Sequence, residues 1–305
     1  MLLITIGLFL LYLGSEAIVR GSSSLALRFG ISPLVIGLTI VAFGTSAPEL
    51  VVSISAALKH SSGVAVGNVV GSNIFNVAAI LGITALIRPP SVHLSLIRRE
   101  IPILIVISIL AFGLITFGYI SRVAGILLFA GLCLYTIASI RSAKRETVID
   151  QNTSKPPELS VWLCSILIAA GLGLLIGGSQ MFVTGAVNMA RSFGVPEATI
   201  GLTIVAAGTS LPELATSVVA AFKRESDIAI GNIVGSNIFN ILCILGLTAC
   251  VQPIHVVGID MLDLGFMLGL SLLLLPFAFT QRTISRSEGV VFLSIYAVYL
   301  YLLWP

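Results

Sequence analysis

Long apolar runs recur along the chain from Leu2 to Leu303, separated by short clusters of Gly, Pro, Ser and basic residues. Ten can be separated, at 2–19, 32–58, 64–87, 100–118, 123–140, 160–181, 195–221, 228–250, 264–280 and 289–304. A helix needs roughly 17–25 apolar residues to cross a bilayer, and the runs match that length. The short alternating segments of a membrane β-barrel are missing. The pattern therefore predicts an all-α polytopic membrane protein with ten transmembrane helices in a lipid bilayer. The first run lacks the basic leader of a signal peptide and is read as a spanning helix. One long polar stretch, Arg141 to Glu158, cuts the chain nearly in half. The expected organisation is five spans over 1–140, a linker over 141–159, and five spans over 160–305.

Composition agrees with an apolar solvent. Of 305 residues, 57% are hydrophobic and 10% charged, against about 25% charged in ordinary soluble domains. The net charge of +3 comes with no basic tract interleaved with aromatics, so nucleic acid is not an expected partner. Cys133, Cys164, Cys243 and Cys250 sit in apolar runs without metal-like spacing, and His60, His93 and His255 fall at or near loops. No nucleophile, base and orienting group form a recognisable set, so an enzyme is not expected. Basic residues favour cytoplasmic loops in membrane proteins. With the N-terminus outside, only Lys59, Arg122 and Arg191 of the 16 basic residues fall on the outer side. The reading is then a cell-membrane protein with both termini outside and the linker in the cytoplasm.

The two halves repeat each other. Residues 37–49 read GLTIVAFGTSAPE and 201–213 read GLTIVAAGTSLPE; residues 67–76 read GNVVGSNIFN and 231–240 read GNIVGSNIFN. One offset of 164 residues relates both pairs, and also aligns Gly14-Ser15 with Gly178-Ser179. Because each copy holds an odd number of spans, the second enters from the opposite side. Inverted repeats of this kind are expected of secondary transporters.

The repeated motifs hold the candidate chemistry. Glu49 and Glu213 lie inside apolar spans, where an unpaired carboxylate is costly. Each must be protonated or face a polar interior that admits a cation; a structural pair locking two helices is the alternative. Pro48 and Pro212 each remove one helical hydrogen bond, freeing the carbonyls of Gly44 and Gly208. Broken backbone at membrane depth is tolerated only where it is buried in protein or lines a cavity. A packing kink is the plainer explanation for one such motif. Thr45 and Thr209 are four residues before the acids and share their helical face; Ser46 and Ser210 adjoin it. The second motif adds Ser72 with Asn76 and Ser236 with Asn240, each pair four apart, and amide carbonyls are neutral oxygen donors. Asn68, Asn73, Asn232 and Asn237 are available to hold crossing helices together. Gly67, Gly71, Gly231 and Gly235 form G-x-x-x-G pairs that let helices approach closely. The donor set is all oxygen, which suits hard cations rather than zinc or copper. Two ionised glutamates balance one Ca²⁺ or two Na⁺, and protons compete for the same carboxylates.

These motifs resemble the alpha repeats of the calcium/cation antiporter superfamily, most closely its prokaryotic sodium/calcium exchanger family. The likeness runs over nearly the whole chain. It implies an antiporter coupling Na⁺ influx to Ca²⁺ efflux by alternating access, with Ca²⁺ and Na⁺ as transported ions and no cofactor. H⁺ or K⁺ are the alternative coupling ions, and a passive cation channel is the remote one. The resemblance implies that Glu49 and Glu213 coordinate Ca²⁺, with Thr45, Ser46, Thr209 and Ser210 beside them. It also implies that Ala42 and Ala206 give backbone carbonyls to Na⁺, that Ser72 and Ser236 serve outer sodium sites, and that Asn76 and Asn240 flank the centre. Some relatives carry aspartate at the position of Asn240. Spans 1 and 6 correspond to a sliding pair, and a monomer is the expected working unit.

Overall fold

The structure, a computed structural model, describes residues 1–147, 159–194 and 206–303. The first half gives α1 (Leu2–Phe29), α2 (Pro33–Thr45), α3 (Ala47–Leu58), α4 (Ser62–Ile87), α5 (Leu96–Thr116) and α6 (Arg122–Thr147). The second gives α7 (Val161–Ser192), α8 (Ala206–Thr209), α9 (Leu211–Phe222), α10 (Ser226–Val251), α11 (Met261–Phe279) and α12 (Arg286–Leu303). Among the described residues, eight helices are long and apolar enough to cross a membrane, and the bent pair α2–α3 makes a ninth. The seventh expected run, 195–221, begins outside the described residues; from Ala206 on it forms α8 and α9. The chain is a multi-pass helical membrane protein.

Two helices exceed their expected spans. α1 has 28 residues and α7 has 32. At about 1.5 Å per residue both exceed a hydrocarbon core of roughly 30 Å, so tilt is needed to keep them in it. The polar run Arg20–Ser24 does not end α1, because its small residues lie against α7: a Cβ on Gly21 would meet the Cys164 carbonyl at 3.1 Å. Gly7 abuts Gly178 and Gly14 abuts Gly171 in the same way, so the two helices run antiparallel at close range. α6 likewise continues past Arg141 to Thr147, into the stretch expected as linker; residues 148–158 lie outside the described part.

The molecule is ordered from polar centre to apolar rim. Of the spanning stretch of α10, 89% is buried, and of α4, 72%; for α12 the share is 17%. The two central helices hold the Gly, Ser and Asn residues, whereas the rim exposes Leu, Val and Phe. In lipid the hydrophobic effect no longer selects against exposed apolar side chains, and close contact of small residues holds helices together. A Cβ on Gly235 would come within 2.7 Å of Leu38, and one on Gly231 within 2.8 Å of the Leu34 carbonyl, so α10 lies directly on α2.

Contacts recur in pairs related by the sequence offset. Gly125 of α6 meets Gly246 of α10, and Gly289 of α12 meets Gly82 of α4. Short extended segments, absent from the expected all-helical pattern, do the same. β1 (Tyr119–Ile120) pairs antiparallel with β2 (Ile254–His255), and its counterpart is a single bridge between Ser91 and Thr283. Each joins the link before α6 or α12 to the link after α10 or α4.

Candidate functional site

Glu49 and Glu213 occupy the first turns of α3 and α9, each following a proline at the start of its helix. Proline fits there because the first amides of a helix need no intrahelical partner. The prolines therefore open new helices after a break, and the acids sit at N-termini, where the peptide dipoles favour negative charge. The breaks are alike in both halves: Ser46 has φ −83° and ψ 6°, Ser210 has φ −88° and ψ 10°. α2 and α3 meet at 44°.

That break redirects the hydroxyls. The spacing predicts Thr45 on the helical face of Glu49, with Ser46 adjoining that face. Instead Ser46 Oγ donates to Glu213 Oε1 at 2.8 Å, and Ser210 Oγ donates to Glu49 Oε1 at 2.9 Å. Thr209 stands beside Glu49 and Thr45 beside Glu213 in the same crosswise sense. Thr45 also donates to Asn232 Oδ1 at 3.0 Å and lies 3.3 Å from the Ala42 carbonyl, which accepts the Ser46 amide at 3.0 Å. Each acid is thus held by a hydroxyl at the helix break of the other half, and the two carboxylates come within electrostatic reach of each other. Both residues are 1% exposed. Among the described residues, neither has a basic ion-pair partner.

α4 and α10 close the site. Ser72 Oγ lies 3.2 Å from Ser210 Oγ, whose one proton goes to Glu49, and Ser236 Oγ reaches Glu213 Oε1 at 3.5 Å. Asn76 and Asn240 are buried one turn further on. Both stand in π-helical turns, Phe75–Leu81 and Asn240–Leu245, whose wider winding often marks functional positions. The Gly208 carbonyl is taken by Ser179 Oγ of α7 at 2.6 Å. Ala206 begins α8 at the edge of the described region.

Among the described residues, nine buried side-chain oxygens lack a hydrogen-bond partner, and four of them belong to this crossing: Glu49 Oε2, Glu213 Oε2, Asn76 Oδ1 and Asn240 Oδ1. Buried acceptors are nearly always satisfied, so four related orphans in one region require a reason. The structure thus joins ten of the sequence candidates, Glu49, Glu213, Thr45, Thr209, Ser46, Ser210, Ser72, Ser236, Asn76 and Asn240, at the crossing of α2–α3, α8–α9, α4 and α10.

Supporting residues were only partly legible. Asn68 Nδ2 donates to the Glu49 carbonyl at 3.0 Å and to Ser53 Oγ at 2.9 Å; Asn232 Nδ2 donates to the Glu213 carbonyl at 3.3 Å and to Ser217 Oγ at 3.0 Å. The asparagines were expected to join crossing helices. Ser53, Ser217 and the link from Ser179 to Gly208 were missed, although Ser53 and Ser217 are related by the repeat offset.

A multi-pass helical bundle whose centre is lined by oxygen, with two acids and no countercharge among the described residues, defines a membrane ion transporter. The chain belongs to the sodium/calcium exchanger protein family, whose model matches residues 1–141 and 164–304. It is 34% identical over 344 aligned positions to the sodium/calcium exchanger MaX1 of Methanosarcina acetivorans, covering 99% of this chain and 98% of that one. It is 40% identical over 258 positions to the inner membrane protein YrbG of Escherichia coli K12, covering 82% and 79%. Among solved structures, the sodium-calcium exchanger NCX_Mj soaked with zero Na⁺ and Ca²⁺ superimposes with a TM-score of 0.86 at 31% identity, over 99% of this chain and 97% of that one.

Proposed function

We propose that the protein is a secondary antiporter that moves Ca²⁺ out of the cell against inward Na⁺, and that Glu49 and Glu213 hold the ions. The observation that carries this reading is the set of four unpartnered buried oxygens, two from acids and two from amides. Two carboxylates supply a charge that one Ca²⁺ or two Na⁺ neutralise. Ca²⁺ takes six to eight oxygens at roughly 2.3–2.6 Å in loose geometry. The acids, the asparagine carbonyls and the hydroxyls of Thr45, Ser46, Thr209, Ser210, Ser72 and Ser236 provide enough donors. The carbonyls of Ala42 and Ala206 are the further donors for Na⁺. Mg²⁺ dehydrates reluctantly and fits such a site less well.

In this reading the chain has ten spans arranged as two inverted five-helix repeats, 1–140 and 160–305. The paired contacts related by the offset support the repeat. The distribution of basic residues supports termini outside the cell membrane and residues 141–159 in the cytoplasm. Labelling of a cysteine introduced at Lys59 by an impermeant thiol reagent on intact cells checks that orientation; labelling only after lysis reverses it. A monomer suffices, since both acids come from one chain; the mass of the detergent-solubilised particle tests this.

Isotopic Ca²⁺ uptake into proteoliposomes tests the exchange. Vesicles loaded with Na⁺ in Na⁺-free medium should accumulate Ca²⁺, and vesicles loaded with choline should not. Equal uptake in both defeats sodium coupling. Uptake driven by an imposed pH or K⁺ gradient instead would move the coupling to H⁺ or K⁺.

A further inference from the structure

Asn73 and Asn237 bind neither acid, yet both are buried at the centre, 3% and 1% exposed. An asparagine can present either a carbonyl oxygen or an amide nitrogen, and only the oxygen can ligate a cation. A site that relies on Asn76 and Asn240 must fix which end faces the ion. Their neighbours do this through a chain of hydrogen bonds that starts from an unambiguous group.

The Asn73 backbone carbonyl can only accept. Asn237 Nδ2 donates to it at 3.3 Å, so Asn237 must point its Oδ1 the other way. Asn76 Nδ2 donates to that Oδ1 at 3.0 Å, which leaves Asn76 Oδ1 as its free end. In the related half, Asn240 Nδ2 donates to Asn73 Oδ1 at 3.0 Å, leaving Asn240 Oδ1 free. The Asn73 amide in turn lies 3.9 Å from Met267 Sδ, a weak acceptor. Both freed oxygens are among the four unpartnered ones.

We propose that Asn73 and Asn237 are positioning residues that lock Asn240 and Asn76 with their carbonyl oxygens turned to the transported cation. This rests on the exchanger reading and deepens it. The lock on Asn76 ends on a backbone carbonyl, and that on Asn240 ends on a thioether, so the first is the firmer. Removing Asn237's acceptor lets the Asn76 amide turn and offer N–H to the ion.

Calcium titration calorimetry on the detergent-solubilised full chain tests this, with binding read separately from transport. Asn237→Ala should weaken Ca²⁺ binding about tenfold, the low end for loss of a partner that orients a metal ligand. In an Asn76→Asp background the same change should cost less than about twofold, because a carboxylate offers oxygen whichever way it turns; that non-additivity is what a double-mutant cycle measures. Equal losses in both backgrounds would assign Asn237 a packing role only and overturn the proposal, as would no loss in the native chain. If Asn237→Ala does not assemble, Met267→Leu serves, since such volume-conserving swaps are well tolerated. It should weaken binding in the native chain, by less than is expected of Asn237→Ala, and not in an Asn240→Asp background; no effect in the native chain would overturn the proposal. Native protein that binds no Ca²⁺ defeats the exchanger reading itself. Native protein that binds it while the variants show no such pattern defeats this inference alone.

Discussion

Ser46 reaches the acid of the second half at 2.8 Å, and Ser210 reaches the acid of the first at 2.9 Å. Asn68 and Asn232 each tie the backbone of the nearer glutamate to a serine one turn on. A few residues away the halves differ. Ser179 of α7 donates across to the Gly208 carbonyl, while Ser15, its counterpart in α1, donates to Leu11 of its own helix. Where each acid is held by a hydroxyl of the other half, a change on either side reaches both acids, and these contacts stay matched. Where a side chain only joins one helix to the next, either half can settle on its own solution.

The largest test of that contrast is at the acids. Glu49→Gln and Glu213→Gln each remove one of two charges from a fully buried site. Each should lower Ca²⁺ transport at least about a hundredfold, a barrier increase of about 2.7 kcal/mol. Expression should remain near native, because the charge being removed is itself unpaired. The two losses should be similar; exchange rates in proteoliposomes measure them. One silent variant would break the matched centre, and two would remove the site.

Next come the glycine crossings. A Cβ on Gly125 would sit 2.6 Å from the Gly246 carbonyl, with a backbone nitrogen at 2.8 Å; on Gly289 the nearest atoms are at 2.9 Å, one of them a side-chain methyl. Gly125→Ala should destabilise by about 2–3 kcal/mol and Gly289→Ala by about 1 kcal/mol, read as thermal unfolding midpoints in detergent. Equal shifts would mean that the two crossings relax alike.

Tyr135 and Tyr299 offer a finer comparison. Each is a tyrosine donating to a carboxylate on the neighbouring helix, Tyr135 to Glu100 at 2.7 Å and Tyr299 to Asp263 at 2.9 Å. Glu100 is 3% exposed, whereas the Asp263 pair is only partly buried. Hydrogen bonds to charged groups contribute about 1.5–3 kcal/mol, more when the acceptor is cut off from water. Tyr135→Phe should therefore shift the unfolding midpoint more than Tyr299→Phe.

The sequence exposed most of this centre because the repeat carried it. Glu49 and Glu213, with their Thr-Ser-x-Pro contexts, stood out as polar groups in apolar runs and as copies of each other. The crosswise pairing did not, since helical spacing places Thr45 over Glu49 only if the helix continues. Whether a proline kinks a helix or starts a new one depends on the turn before it, and Ser46 leaves the helical region there. The lengths of α1 and α7 were hidden for a related reason. Glycine and serine read as breaks by propensity, yet in a bilayer they are contact surfaces, and packing prevailed. The roles of Asn73 and Asn237 were beyond reach, because which end of an amide faces inward is decided by partners far along the chain.

The smallest predicted effect separates the halves most cleanly. Pro212 has no amide hydrogen to give the Gly208 carbonyl, and Ser179 supplies a donor from another helix at 2.6 Å. Ser179→Ala leaves that buried carbonyl short of its partner and should cost about 1 kcal/mol. Ser15→Ala removes only a bond back to its own helix, at Leu11, which still accepts the regular helical amide; such back-bonds are neutral to slightly unfavourable in helices, so the expected change is near zero. Thermal midpoints of both variants decide it. A larger loss at Ser15 would mean that α1 depends on this hydroxyl as α7 does on Ser179, and the contrast drawn between centre and edge would fail at its clearest point.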